Sequence, residues 1–147
     1  MNRSSIAFAL ALAACGAEDG TFMPPFPPEE IPADALVGIF EGKFPCETCV
    51  KIKTALVLLQ EPATGNPTRY LLRQNQTGAP EDSEGSWRIR RGSRFDPGAV
   101  VYELQPPGSP VTIDYLTVGP DILLLLDEQL RPRVGNAAYS FTLSRTR

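Results

Sequence analysis

The sequence predicts an all-β domain, a small antiparallel meander of about eight strands closed into a barrel. From residue 36 onward, apolar and polar side chains alternate with a period of two, as in strands with one buried face. Turns rich in Gly, Pro, Asn and Asp separate these segments, and no segment has a convincing helical period. Closing such a meander removes its sheet edges, and about eight strands leave room for side chains or one small ligand.

Each of the first four predicted strands has an apolar face. Even-numbered apolar residues of the first two strands, such as Phe40 and Ile52, are expected inside the barrel. In the fourth strand, Trp87 points inward and Arg88 outward. The predicted strands and their apolar residues are 36–44 with Phe40 and Phe44, 50–59 with Val50, Ile52, Leu56 and Leu58, 68–74 with Tyr70 and Leu72, and 85–91 with Trp87 and Ile89.

The last four predicted strands complete the meander. The run 122–126 consists of five consecutive aliphatic residues, which predicts a strand covered on both faces; an exposed apolar patch for a partner is the alternative. The predicted strands are 99–105 with Val100, Tyr102 and Leu104, 111–118, 122–127, and 138–145 with Tyr139, Phe141 and Leu143.

The first 35 residues predict export. Residues 1–14 have the pattern of a signal peptide, with one positive charge, Arg3, followed by an apolar core. This core is too short for a membrane-spanning helix, which needs roughly 20 residues. The run Leu12-Ala13-Ala14-Cys15 resembles the lipobox of bacterial lipoproteins, which implies cleavage before Cys15 and lipidation of its sulfur. An ordinary signal peptide followed by a chance cysteine is the alternative. The Pro-rich segment 15–35 then forms an extended tether, and residues 36–147 form the barrel domain.

The lipid anchor would place the protein at a membrane without spanning it, because two or three acyl chains hold stably in a bilayer. Gly16, rather than Asp, follows Cys15, which by the same resemblance implies the periplasmic face of the outer membrane. The predicted mature chain has 13 basic and 17 acidic residues, and this mild acidity argues against a nucleic-acid partner. The sequence contains no His, so catalysis by a His base or a His-containing triad is excluded.

Cys46 and Cys49 form a Cys-x-x-Cys motif between the first two predicted strands. The motif sits in a frame of Gly38-x-Phe40-x-Gly42-x-Phe44-Pro45, followed by alternating residues 52–58, with later landmarks Gly85-x-Trp87 and Leu143-x-Arg145. Residues 36–147 in this way resemble the N-terminal domain of the NlpE family of copper-resistance and envelope-stress lipoproteins. The resemblance implies a lipocalin-like barrel and a role in copper tolerance or envelope-stress sensing.

The chain departs from that family pattern near the motif. Thr48 replaces the acid that usually precedes the second cysteine, and Val50-Lys51 replaces a common Pro-Gly. The turn after Asp127 continues Glu-Gln-Leu instead of ending in Gly.

The cysteine pair has several chemical interpretations. Two thiolates can hold a soft Cu(I) ion, with Lys51 as a neighbouring cation that stabilises them. A disulfide that pins the turn is the structural alternative in an exported domain. A thiol-redox enzyme is a third interpretation, although the helix that such motifs normally open is absent from the pattern. No cofactor is required by these interpretations, copper is the one candidate, and the chain is interpreted as a non-enzyme.

Other features predict structural or binding roles. The carboxylates Glu81, Asp82 and Glu84 are expected in a solvated loop. The arginine cluster (Arg88, Arg90, Arg91 and Arg94) is expected on an outer strand face, or against an anionic polymer or lipid phosphates. Two further function classes stay open, a lipocalin-like binder of a small ligand and a module that binds or inhibits an envelope protein. A barrel interior filled by Phe40, Trp87, Tyr102 and Phe141 would argue against the binder.

Replacing Cys15 with Ser tests the anchor. We expect the Cys15→Ser protein to lack the lipid mass and to leave the membrane fraction, because the acyl chains have no other attachment point. Membrane fractionation with mass spectrometry measures both effects. A variant that stays membrane-bound with an unchanged mass would show that Cys15 is not lipidated.

Overall fold

The computed structural model describes residues 31–147 and consists of a closed antiparallel barrel. Each strand pairs with the next, and the last strand pairs with the first, so the predicted all-β barrel is confirmed. Within the described residues, no helix is long and apolar enough to cross a membrane. The predicted signal peptide 1–14, Cys15 and the tether up to residue 30 lie outside the described residues.

The eight strands follow the predicted order. β1 has the predicted bounds, whereas β4 starts five residues before its predicted start and β8 starts four residues after. A 3-10 turn, Ala33–Ala35, precedes the barrel. The strands are β1 Leu36–Phe44, β2 Ile52–Gln60, β3 Pro67–Asn75, β4 Pro80–Arg91, β5 Val100–Gln105, β6 Ile113–Val118, β7 Ile122–Leu125 and β8 Thr142–Arg145.

The early start of β4 corrects one prediction. Glu81, Asp82 and Glu84 lie on this strand and pair with β3, not in a solvated loop. The sequence hid the strand because residues 80–84 are exposed and lack an apolar face. Their partners supply the stabilisation instead, since Arg73 binds Asp82 through two hydrogen bonds of 2.6 and 2.7 Å.

The interior is a packed apolar core. Phe40 and Trp87 are buried, and Tyr102 and Phe141 pack against the core. The four side chains therefore fill the interior, which argues against a binder of a small ligand. Trp87 also donates its indole N–H to the carbonyl of Leu59 at 2.7 Å. The buried core residues are Phe40, Phe44, Leu56, Leu58, Tyr70, Leu72, Trp87, Leu104, Tyr115, Leu123 and Leu143.

A smaller apolar cluster lies on the outer face of β1, β2 and β3. Ile39, Val57 and Leu71 are buried there, and Leu36 and Leu59 pack against them. The C-terminus also reaches this region, because the backbone N–H groups of residues 146 and 147 lie 2.8 and 3.4 Å from the carbonyl of Ile39. The wall of the barrel is therefore apolar on both faces at these three strands.

The predicted aliphatic strand at 122–126 is covered and not an exposed patch. Leu123 and Leu126 are buried, and the other three residues are half-buried. Beyond it, Leu130 adopts a left-handed backbone with φ 62°, in the turn where the family pattern has Gly. This turn is held by Asp127, whose side chain accepts the N–H groups of Gln129 and Arg131, both at 2.9 Å.

The loops define two ends of the barrel. The Leu36 end is the end at which β1 begins, and it carries loops 61–66, 92–99 and 119–121. The cysteine end carries Cys46 and Cys49 in loop 45–51, together with loops 76–79, 106–112 and 126–141.

Arg145 closes the Leu36 end. Its guanidinium carbon lies 4.7 Å from the centroid of the Phe40 ring. Nη1 donates to the carbonyl of Val37 at 2.6 Å, and Nη2 donates to the carbonyl of Pro120 at 2.9 Å. Nε forms an ion pair of 3.0 Å with Asp121. One side chain therefore connects β1, β8 and the turn between β6 and β7.

Two glycines let β8 approach β1 closely. A Cβ at Gly38 would overlap the guanidinium of Arg145, and a Cβ at Gly42 would overlap the backbone carbonyl of Thr142 on β8. The two strands share only two register pairs, Phe40 with Arg145 and Glu41 with Ser144. Barrel closure therefore depends on this close approach and on Arg145.

Replacing Arg145 with Ala should lower the free energy of unfolding by about 2–3 kcal/mol, because hydrogen bonds from a charged donor and a cation–π contact are lost. Urea denaturation measures the change. Arg69→Ala is the matched control, since Arg69 forms an exposed ion pair with Glu84 and its loss should cost about 1 kcal/mol or less. Equal losses in both variants would contradict the role of Arg145 in closure.

Candidate functional site

The Cys-x-x-Cys turn joins the first two strands at the cysteine end. Cys46 and Cys49 form a disulfide, with Cα atoms 5.3 Å apart, so the disulfide alternative describes this structure. Both residues are half-buried. The turn is held by the long β1–β2 ladder, in which Phe44 pairs with Ile52 immediately beside it.

Each sulfur has a polar neighbour. The side-chain amide of Gln76, from loop 76–79, donates to Sγ of Cys46 at 3.4 Å. Sγ of Cys49 lies 3.5 Å from the carbonyl oxygen of Lys51. A disulfide sulfur has no proton, whereas a reduced Cys49 thiol could donate one to this carbonyl. Gln76 is far from the motif in sequence, and no sequence signal indicated it.

All three lysines of the chain lie at the cysteine end. Lys43 and Lys53 are direct cross-strand partners on β1 and β2, an arrangement in which like charges repel. Lys51 places Nζ 5.9 Å from the centroid of the Tyr139 ring. Within residues 31–147, none of the three forms an ion pair. This positive charge favours thiolates over thiols when the pair is reduced.

Each cysteine lines a different surface depression. Cys46 borders one of about 480 Å³ shared with Arg133, Val134 and Phe141 of loop 126–141. Cys49 borders another of about 510 Å³ shared with Lys51, Lys53 and residues 75–78. The disulfide is therefore accessible to a small reactant or a partner from two sides.

No third metal ligand accompanies the pair in the described part of the chain. Among residues 31–147, no group of three or more Cys, Asp or Glu side chains is placed to hold a metal ion. A copper ion bound to the reduced pair would use the two sulfurs as its protein ligands, which suits soft Cu(I).

The predicted arginine cluster separates into two parts. Arg88 and Arg90 both pair with Glu103, at 2.7 and 3.2 Å, on the outer face of β4 and β5. These two arginines thus form the charged outer strand face that the sequence predicts. Arg91 and Arg94 lie at the Leu36 end and form no ion pair within residues 31–147.

Two hydroxyl groups inside the barrel lack partners. Oγ1 of Thr54 and the phenol oxygen of Tyr70 are buried without a hydrogen bond among the described residues. Burial raises the pKa of the Tyr70 phenol, and burial together with the nearby Tyr70 raises the pKa of the Tyr115 phenol. Both phenols therefore stay neutral in the physiological range.

Asp114 is a second unusual polar group, on the outer face of β6. Burial raises the pKa of its carboxyl, an effect opposed by a hydrogen bond from Thr112 and reinforced by the charge of Glu103. Its Oδ1 is buried without a partner, and the residue lines a depression of about 730 Å³. Nothing in the sequence pattern distinguished Asp114 from an ordinary exposed strand residue.

Two solved structures are similar to this chain. One is the Cpx pathway activator NlpE from Escherichia coli, at 20% identity and a TM-score of 0.48 over 70% of this chain and 48% of that chain. The other is a "putative lipoprotein" from Shewanella oneidensis, at 21% identity and a TM-score of 0.46 over 74% of this chain and 87% of that chain.

The aligned region spans about half the length of the NlpE chain. No protein-family model and no curated protein sequence matches the chain.

Replacing Asp114 with Asn should stabilise the barrel at neutral pH. Because burial raises the folded-state pKa, the ionised carboxylate costs stability above its ordinary titration range, and Asn removes that cost. The gain should vanish as the pH falls below the ordinary carboxyl pKa of about 3.9, where Asp114 is protonated in both folded and unfolded states. Urea denaturation at several pH values measures it.

Glu128→Gln is the control for Asp114→Asn. Glu128 is exposed, lines the same depression and loses the same charge. Its replacement removes an exposed carboxylate and should change the free energy of unfolding at neutral pH little. A pH-independent effect of Asp114→Asn would show that the carboxylate pays no burial cost.

Proposed function

We propose that the chain is a non-enzymatic lipoprotein on the periplasmic face of the bacterial outer membrane, acting in copper tolerance or envelope-stress sensing. The observation that carries the proposal is the Cys46–Cys49 pair, disulfide-bonded in an accessible turn at one end of a packed barrel. A packed interior leaves the loops and their side chains as the places where a signal can be received. The lipobox at Cys15 supports the anchor.

The pair provides a chemical switch. Reduced, two thiolates bind Cu(I), because soft sulfur ligands favour this ion. Oxidised, both sulfurs are joined to each other and have no thiolate to offer. Forming the disulfide releases two protons and two electrons, and two Cu(II) ions that accept these electrons become Cu(I). Copper can therefore act in two ways: Cu(I) is bound by the reduced pair, and Cu(II) oxidises the pair to the disulfide.

A protein partner is the second candidate, supported by the surface beside the disulfide. Val50 and Val134 are 76% and 90% exposed at the cysteine end, each next to one of the two depressions. Exposed apolar side chains beside a groove are typical of interaction sites. The small-ligand binder loses support, because aromatic side chains fill the barrel interior.

The reduced protein should bind about one Cu(I), whereas the oxidised protein and the Cys46→Ser/Cys49→Ser double variant should bind none tightly. Competition with a Cu(I) chelator measures the affinity of each form. Lys51→Gln is an informative single variant, since removing the neighbouring cation should weaken the thiolate form and lower the affinity. A double variant that competes as well as the reduced wild type would show that the pair is not a copper site.

The double variant should also stay folded, which keeps the copper test interpretable. The disulfide closes a loop of only four residues, so its loss should cost about 2 kcal/mol or less. Circular dichroism and urea denaturation of the variant check this. An unfolded double variant would contradict the small expected cost, and the reduced wild type, which also lacks the disulfide, would then have to be shown to be folded before its copper affinity is interpreted.

A further inference from the structure

The exposed large apolar side chains of the described residues fall at the two ends of the barrel or near them. The Leu36 end has Phe95 in loop 92–99 and Val118 at the end of β6, with Ile89 two residues before β4 ends. The cysteine end has Val50, Val111 and Val134. Charged cross-strand pairs, such as Arg73 with Asp82, occupy the wall between them.

Loop 92–99 holds Phe95 outward. The N–H of Gly92 donates to the carbonyl of Ala99 at 2.7 Å. Oγ of Ser93 accepts the N–H groups of Phe95 and Asp96 at 3.3 and 3.0 Å. With its backbone fixed from both sides, Phe95 remains 61% exposed at the tip of a structured loop.

Two arginines accompany this phenylalanine. Arg94 lies over the Phe95 ring, with its guanidinium carbon 5.9 Å from the ring centroid. Arg91 ends β4 at the base of the same loop. Neither forms an ion pair within residues 31–147, in contrast to Arg88 and Arg90 on the wall. An exposed ring with one cation over it and a second cation at the base of its loop is complementary to a surface with anionic headgroups above an apolar layer.

The chain also enters the barrel at this end. β1 starts at Leu36, and residues 15–35 connect it to the predicted lipid on Cys15. A tether makes even a weak contact effective, because it keeps the barrel close to the membrane and so raises the effective concentration of the lipid surface. The loop tip is convex, and a fluid lipid surface accepts such a protrusion without a matching cavity.

We propose that the Leu36 end docks on an anionic phospholipid surface through Phe95, Arg91 and Arg94. The proposal rests on the proposed function, in which the lipid anchor places the barrel at the membrane. Docking then fixes the orientation of the barrel relative to the bilayer, which a tether alone does not. The barrel then stands on the membrane with the cysteine end, and thus the Cys46–Cys49 pair, facing away from the bilayer.

Vesicle binding of the unlipidated mature chain, residues 15–147 carrying Cys15→Ser, tests the proposal. Vesicles of phosphatidylglycerol with phosphatidylethanolamine serve as the anionic surface, and phosphatidylcholine vesicles serve as the neutral one. Co-sedimentation at low salt should show binding to the anionic vesicles only, and high salt should reverse it. Arg91→Gln with Arg94→Gln should weaken binding about tenfold or more.

Matched variants at the cysteine end provide the controls. Lys51→Gln with Lys53→Gln removes the same charge and should change binding little. Phe95→Ala should weaken binding, whereas Val111→Ala, at a side chain that is also 61% exposed, should not. Equal binding to neutral vesicles, or equal loss from the lysine and arginine variants, would overturn the proposal. No binding at all would overturn it too, while membrane fractionation of Cys15→Ser tests the anchor independently.

Discussion

Closure of the barrel between β1 and β8 is the constraint on which the rest of the structure depends. Only two register pairs join these strands, far fewer than the β1–β2 ladder, so side chains must complete the seam. Arg145 does so by binding the carbonyls of Val37 and Pro120 while covering the Phe40 ring. Once the seam is closed, no strand edge is left open and the meander encloses a single apolar core.

Closure also decides where chemistry can occur. The interior is occupied by the aromatic and aliphatic side chains of all eight strands, and its unpaired hydroxyls, Thr54 and Tyr70, are sealed from solvent. The side chains that can react or bind a partner therefore lie in the loops at the two ends, which the strands hold in place. The Cys46–Cys49 turn caps the longest ladder of the sheet and is closed by its own disulfide.

The charges divide the molecule along the barrel axis. On the wall, arginines of β3 and β4 pair with acids of the neighbouring strands, so the charges largely cancel there. At the ends, five basic residues form no ion pair in the described part of the chain, namely Lys43, Lys51 and Lys53 at the cysteine end and Arg91 and Arg94 at the other. The two ends also differ in their exposed apolar side chains, with Val50, Val111 and Val134 at the cysteine end and Phe95 and Val118 at the Leu36 end.

The sequence by itself determined the strands whose apolar residues alternate, and the inward positions of Phe40 and Trp87, because a period of two has one buried face. It also located the cysteine pair but left metal site and disulfide open, since the same spacing suits both. Only the tertiary structure revealed the features that do not depend on alternating apolar residues. The polar start of β4 exists because β3 provides Arg73 as a partner, and Gln76 and Arg145 act through contacts with residues far away in sequence.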